Sequence, residues 1–114
     1  MDTYLTASEP VPEPMVLRRL AQAALKHLAA NLPSGETVQT HAVFDHSTDH
    51  YLLVAEGWQG YRRVYRTVAH IAVTGGCLHI YEDGTVEGVA ERLRAEGVPA
   101  RCIVCEWTLP ATPR

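Results

Sequence analysis

Cys102 and Cys105 are separated by two residues, and with Cys77 and His79 they supply the ligand types of a four-coordinate zinc site. The intervening Ile103-Val104 reads as strand, however. Residues three apart on a strand point to opposite faces, so the two thiols are poorly placed to close on one ion. A redox pair would need a helix N-terminus to stabilise its thiolate. The three cysteines therefore read as unpaired, buried thiols of a reduced protein. Among the histidines, His41, His46 and His50 surround a turn with Asp45 and Asp49, and His70 and His79 fall on neighbouring strands. Such histidines could hold a metal or move a proton, but a surface or interface role is the commoner one. No Ser-His-Asp arrangement, carboxylate pair or phosphate-binding loop is present. Arg62, Arg63 and Arg66, with Tyr61 and Tyr65 interleaved, form the densest basic patch and could contact phosphates and stack on bases. On one strand Arg63 points away from Arg62 and Arg66, which favours contact with protein. We expect no catalytic residues, no metal and no cofactor.

The rest of the composition narrows the class. At 114 residues a single domain is expected, and 46% hydrophobic residues suffice for one core. A net charge of -3 lacks the basic surplus of a protein that coats nucleic acid. Nine of the ten basic residues are arginine, the bias of a GC-rich bacterial genome. Met1-Asp2-Thr3-Tyr4 lacks the basic and apolar regions of a signal peptide, and no apolar run approaches the ~20 residues of a membrane span. The expected location is the cytoplasm.

The elements that must position these residues follow in order. Residues 1–14 carry Pro10, Pro12 and Pro14 and read as a Pro-rich leader. Residues 15–107 read as one domain and 108–114 as a tail. Met15 to Asn31 has Leu17, Leu20, Ala21, Ala24, Leu25, Leu28 and Leu32 at helical spacing, with Pro33-Ser34-Gly35 as the stop. Strands are expected over Glu36 to Asp45, His50 to Trp58, Tyr61 to Val73, Cys77 to Glu82 and Arg101 to Trp107. A second helix is expected over Val86 to Ala95, capped by Thr85 or Asp83 and ended by Gly97 and Pro99. The order is α-β-β-β-β-α-β, an α+β domain with an antiparallel sheet packed on helices on one face.

Two tight turns predict a register. With Gly75-Gly76 as the loop, Val73 faces Leu78, Ile71 faces Ile80 and His70 faces Tyr81. With Gln59-Gly60 as the loop, Glu56 faces Arg63 as a cross-strand ion pair, and Val54 faces Tyr65. One face then collects Leu52, Val54, Tyr65, Thr67, Ala69, Ile71, Val73, Leu78 and Ile80, which belong under the helices. The other collects Tyr51, Leu53, Arg62, Val64, Arg66, Val68, His70, Ala72, Cys77, His79 and Tyr81. Its aromatic, Arg and His content suits a surface that meets a partner. Tyr51, Arg62, Arg66, His70, His79 and Tyr81 are its candidate contact residues.

Several of these residues also form a pattern. Phe44-Asp45, Asp49-His50-Tyr51, Gly57-Trp58, Arg62-Arg63-Val64, His70, Gly76, Asp83-Gly84-Thr85, Gly88-Val89-Ala90, Gly97-Val98-Pro99 and Ile103-Val104 resemble, in order and spacing, the XisI family of fdxN element excision controlling factor proteins. The likeness runs from about the first helix to Val104, ungapped between Phe44 and Ala90. Relatives commonly carry aspartate at the positions of Ala72 and Gly75, tryptophan at His79, an acid at Val86, and a different C-terminal segment. The resemblance implies a small non-enzymatic accessory protein linked to programmed excision of a DNA element in cyanobacteria. It also implies a partner, the nuclease-like XisH. Direct DNA binding, antitoxin-like inhibition of a nuclease-like partner, and homo-oligomer formation remain open alternatives.

Overall fold

The structure, a computed structural model, describes residues 12–32 and 37–107. Most of the expected leader, the Pro33-Ser34-Gly35 stop, the start of the first strand at Glu36 and the tail lie outside the described residues. Helix α1 spans Pro14–Ala30. Pro14 sits in its first turn, where the missing N–H has no intrahelical partner to lose. Leu17, Ala21, Ala24, Leu25 and Leu28 form its buried stripe, as the spacing predicts. At the other end Asn31 folds back, its side-chain amide donating to the His27 carbonyl at 2.9 Å.

Strands β1 (Val38–Asp45), β2 (His50–Gln59), β3 (Arg62–Thr74) and β4 (Cys77–Asp83) follow, then α2 (Val89–Ala95) and β5 (Ile103–Cys105). The sheet order is β1-β2-β3-β4-β5. Neighbours are antiparallel except β4 and β5, which run parallel, so the sheet is mixed and not wholly antiparallel. Both helices belong to the core cluster that covers one face: Leu17, Leu25, Val89 and Leu93 bury against Tyr51, Leu53, Ile71, Leu78 and Ile80. Each such aliphatic side chain removed from water contributes roughly 1.5–3 kcal/mol before entropy is counted.

The Gly75-Gly76 turn sets the expected pairs Val73 with Leu78, Ala72 with His79 and Ile71 with Ile80. Beyond them the ladder shifts: His70 pairs with Glu82, not Tyr81, because Tyr81 is the extra residue of a β-bulge. The β2–β3 turn also differs. Gln59 pairs with Arg62, so the loop is Gly60-Tyr61, and Glu56 faces Tyr65 and Val54 faces Thr67. Gly60, at φ 64°, takes the first central position, where a two-residue hairpin needs glycine. A second bulge leaves Val68 unpaired, with Leu53 opposite Ala69.

The bulge at Val68 redistributes the faces, since one extra residue flips the alternation of a strand. Tyr51 and Leu53 lie in the core at 0% exposure, and Leu52, Val54, Tyr65 and Thr67 take the opposite face. Val68 is buried, and Arg62, Val64 and Arg66 follow Ala55 and Gly57 to the helix side. The second helix starts at Val89, three residues later than expected, because Gly88 at φ 97° interrupts it; Val86 is fully exposed. The last strand shortens to three residues behind a 3-10 turn, Ala100–Cys102. Cys102 is consequently not on the strand, and both Cys102 and Cys105 pack against the core side.

Candidate interaction surface

Many of the polar residues of the pattern are occupied in holding the frame. Asp45 accepts from the Ser47 amide and from the Ser47 and Thr48 hydroxyls, the latter two at 2.7 Å. Those hydroxyl bonds hold its carboxyl down at about 2. Asp49, at φ 59°, accepts a two-pronged bond from Arg18 on α1, at 2.7 and 3.0 Å, and a third from the buried Tyr51 hydroxyl at 2.8 Å. The Arg18 bond is the main reason its carboxyl lies below the usual range. Burial, then Asp49, pushes the Tyr51 phenol up to about 12.

Gly57 has φ 152°, and a Cβ there would sit 1.8 Å from the Thr37 carbonyl oxygen that accepts from the Trp58 amide. Asp83 caps the loop before α2: one oxygen accepts from the Thr85 amide and hydroxyl, the other from the Val89 amide at 2.7 Å. Thr85 in turn accepts from Gly88 at 3.0 Å. The N-cap is therefore Gly88 and not Thr85 or Asp83: Asp83 satisfies the first helical amide, Val89, from six residues back, and Thr85 holds only the amide of Gly88. The Gly84 amide donates to the Val68 carbonyl, left unpaired by the bulge.

The face away from the helices is bare among the described residues. Its centre is a ring cluster. His50 Nδ1 and His70 Nε2 share a hydrogen bond of 2.8 Å, and Tyr81 stacks on His50 at 6.3 Å and lies 5.0 Å from His70. Burial, then the neighbouring His50, lowers the His70 pKa. Beside it, His79 bonds Glu106 at 2.6 Å. Toward the β2–β3 turn, Arg63 pairs with Glu56 at 3.0 Å and lies 5.6 Å over Trp58. The expected Glu56–Arg63 pair thus forms diagonally, since Arg63 sits opposite Trp58. Val43, Trp58, Tyr65 and Tyr81 are 47%, 50%, 72% and 45% exposed on this face.

Of the six candidate contact residues, the fold brings together His70, His79 and Tyr81. Tyr51 is in the core. Arg62 and Arg66 lie on the helix side, where they line an open cavity of about 520 Å³ with Leu32, Thr40, Ala55 and Val64. His50, Val43, Trp58 and Tyr65, none of them among the expected contact residues, also belong to the bare face. Their signal was present in the aromatic and β-branched content of the strands, hidden by the unseen shifts of register. Among the described residues no three His, Cys, Asp or Glu side chains come together to hold a metal, and no helix is long and apolar enough to cross a membrane.

A helix-backed five-stranded sheet with a bare, aromatic second face defines a small α+β surface-presenting domain. The chain belongs to the XisI family, whose model, described as XisI protein, matches residues 15–112. It is similar to the crystal structure of a XisI-like protein from Anabaena variabilis ATCC 29413, at 28% identity over 86% of this chain and 90% of that one, with a TM-score of 0.79. It is also similar to the fdxN element excision controlling factor XisI of the same organism, at 25% identity over 87% of this chain and 97% of that one, with a TM-score of 0.68. No curated protein matches.

Proposed function

We propose that this chain is a non-catalytic accessory protein that takes part in controlling excision of a DNA element, and that it does so by docking a partner protein on the bare sheet face. Membership of the XisI family and likeness to an excision controlling factor support the setting. The observation that carries the docking surface is the half-exposed aromatic face around His50, His70 and Tyr81. Exposed aromatic residues ringed by polar ones are the composition of an interface core. The partner fitting the family pattern is a nuclease-like protein of the XisH type, which the chain would assist or restrain. His79, a position where the chain departs from that pattern, lies on this surface beside the buried Ala72, a second such position, so the partner here would be its own.

The second reading is direct DNA binding through Arg62 and Arg66, favoured by their shared, exposed position on β3. One experiment separates the two. The chain is co-purified with a nuclease-like protein of the XisH type, as wild type, as Tyr81→Ala with His79→Asp, and as Arg66→Glu. The bare-face reading expects complex loss only for the first variant. Loss only for Arg66→Glu, or binding to duplex DNA that weakens steeply with salt, overturns it in favour of the arginine side.

A further inference from the structure

The two edges of the sheet are built differently. β5 is three residues long, follows a 3-10 turn and runs parallel to its neighbour. β1 is eight residues long, pairs with β2 without a register shift, and has no described strand on its other side. The Trp58 amide donates to the Thr37 carbonyl at 2.8 Å, and this fixes the alternation of the ladder. Gln39, His41 and Val43 exchange backbone bonds with β2, while Val38, Thr40, Ala42 and Phe44 turn theirs outward. Edges of this length are ordinarily blunted by lysine, proline or a bulge. β1 has none of these, its one carboxylate is Asp45 at the very end, and His41, Ala42 and Val43 at its centre are exposed.

We propose that the β1 edge pairs antiparallel with β1 of a second copy of this chain, joining two sheets into one. A second copy fits because the strand is complementary to itself. With a two-fold axis at His41, Val38 faces the second copy's Phe44 and Thr40 faces its Ala42. All four outward-turned residues then exchange paired backbone bonds. Val38 and Phe44 already pack on the core, so their pairing extends it across the axis. On the bare side Gln39 meets Val43 and His41 meets itself, so no like-charged carboxylates or guanidinium groups oppose each other. The proposal uses the edge of the sheet and stands apart from the docking surface above.

Light scattering on the full chain at tens of micromolar tests it, with an expected mass twice 12.6 kDa. Ala42→Pro removes only an outward N–H, a change an edge strand tolerates, and should weaken dimerisation by more than about tenfold. His41→Cys gives a check that does not depend on proline being accommodated. A non-hydrogen-bonded antiparallel pair has Cα atoms about 4.5 Å apart, within disulfide reach. On oxidation it should yield a covalent dimer that neither wild type nor Val43→Cys yields. A monomer at every concentration overturns the proposal. So does a dimer that survives Ala42→Pro unchanged, or one in which His41→Cys stays uncross-linked.

Discussion

The two faces of the sheet share strands and connections but answer to different constraints. On the covered face Tyr51, Leu53, Ile71, Leu78 and Ile80 have no exposure at all. On the bare face Tyr81 remains 45% exposed and Tyr65 72%. The residues of the family pattern sort unevenly between these worlds. Asp45, Asp49, Gly57, Asp83, Gly84, Thr85 and Gly88 serve turns, a cap and one close backbone approach. Only His50, Trp58, Arg63 and His70 of the pattern present rings or charge to the bare side. The pattern that marks the family is thus mainly a description of how its strands are connected. An aspartate in such a pattern is better explained by the N–H and O–H groups it satisfies than by chemistry.

If that division is right, the largest losses of stability come from the connections. Gly57→Ala should cost about 3 kcal/mol or more, since the added Cβ meets backbone at 1.8 Å and the residue keeps an unfavourable φ. Urea unfolding would show it as a large fall in midpoint. A near-normal midpoint would mean that β1 can lift off Gly57 cheaply and that the edge is loosely held. Next comes Asp83→Ala, which strips the Val89 amide and Thr85 of their acceptor. A cost of about 1–2 kcal/mol is expected by the same measurement, with protection of the α2 amides from hydrogen exchange falling first.

Acid separates the faces further. Asp49 has its carboxyl lowered by Arg18, so its stabilisation is fully present above the ordinary aspartate value of about 3.9 and is lost as pH falls toward the lower folded value. Asp49→Asn keeps the tolerance for positive φ while removing the charge. It should cost about 1 kcal/mol at neutral pH and flatten the acid limb of the stability curve. His70 is also lowered, mainly by burial, so its neutral form stabilises above the ordinary histidine value of about 6.5 and that contribution fades as pH falls through the lowered one. His70→Gln should remove this gentler limb and leave the one due to Asp49 intact. Equal changes in both limbs would show that the two faces are coupled.

How much of this was legible in the residues depends on which turn set the register. Gly75-Gly76, both at positive φ, announced the β3–β4 hairpin and its pairs as far as Ile71. Gly60 was equally visible, but its place as first residue of the loop depends on Tyr61 accepting full exposure in the second. The bulges were not legible. Leu52-Leu53-Val54-Ala55 is apolar on both alternations, so periodicity could not say which set faced the helices. Nor could local pattern reveal that Arg18 would reach Asp49, a partner 31 residues away. The stripe of α1 was legible because seven residues at helical spacing leave one solution.

The smallest expected change in stability is also the sharpest test of the bare face. Tyr65 stands 72% exposed, opposite Glu56, on a part of the sheet that no described helix covers. Removing its ring loses little burial, so Tyr65→Ala should alter the unfolding free energy by no more than about 0.5 kcal/mol. A ring of this size at the centre of a protein interface commonly contributes 2 kcal/mol or more, about thirtyfold in affinity. An unchanged melting curve with partner affinity down by that order would mean that the ring is retained for recognition. The reverse result, a clear loss of stability with binding intact, would return Tyr65 to the frame and confine the docking surface to the His50, His70 and Tyr81 cluster.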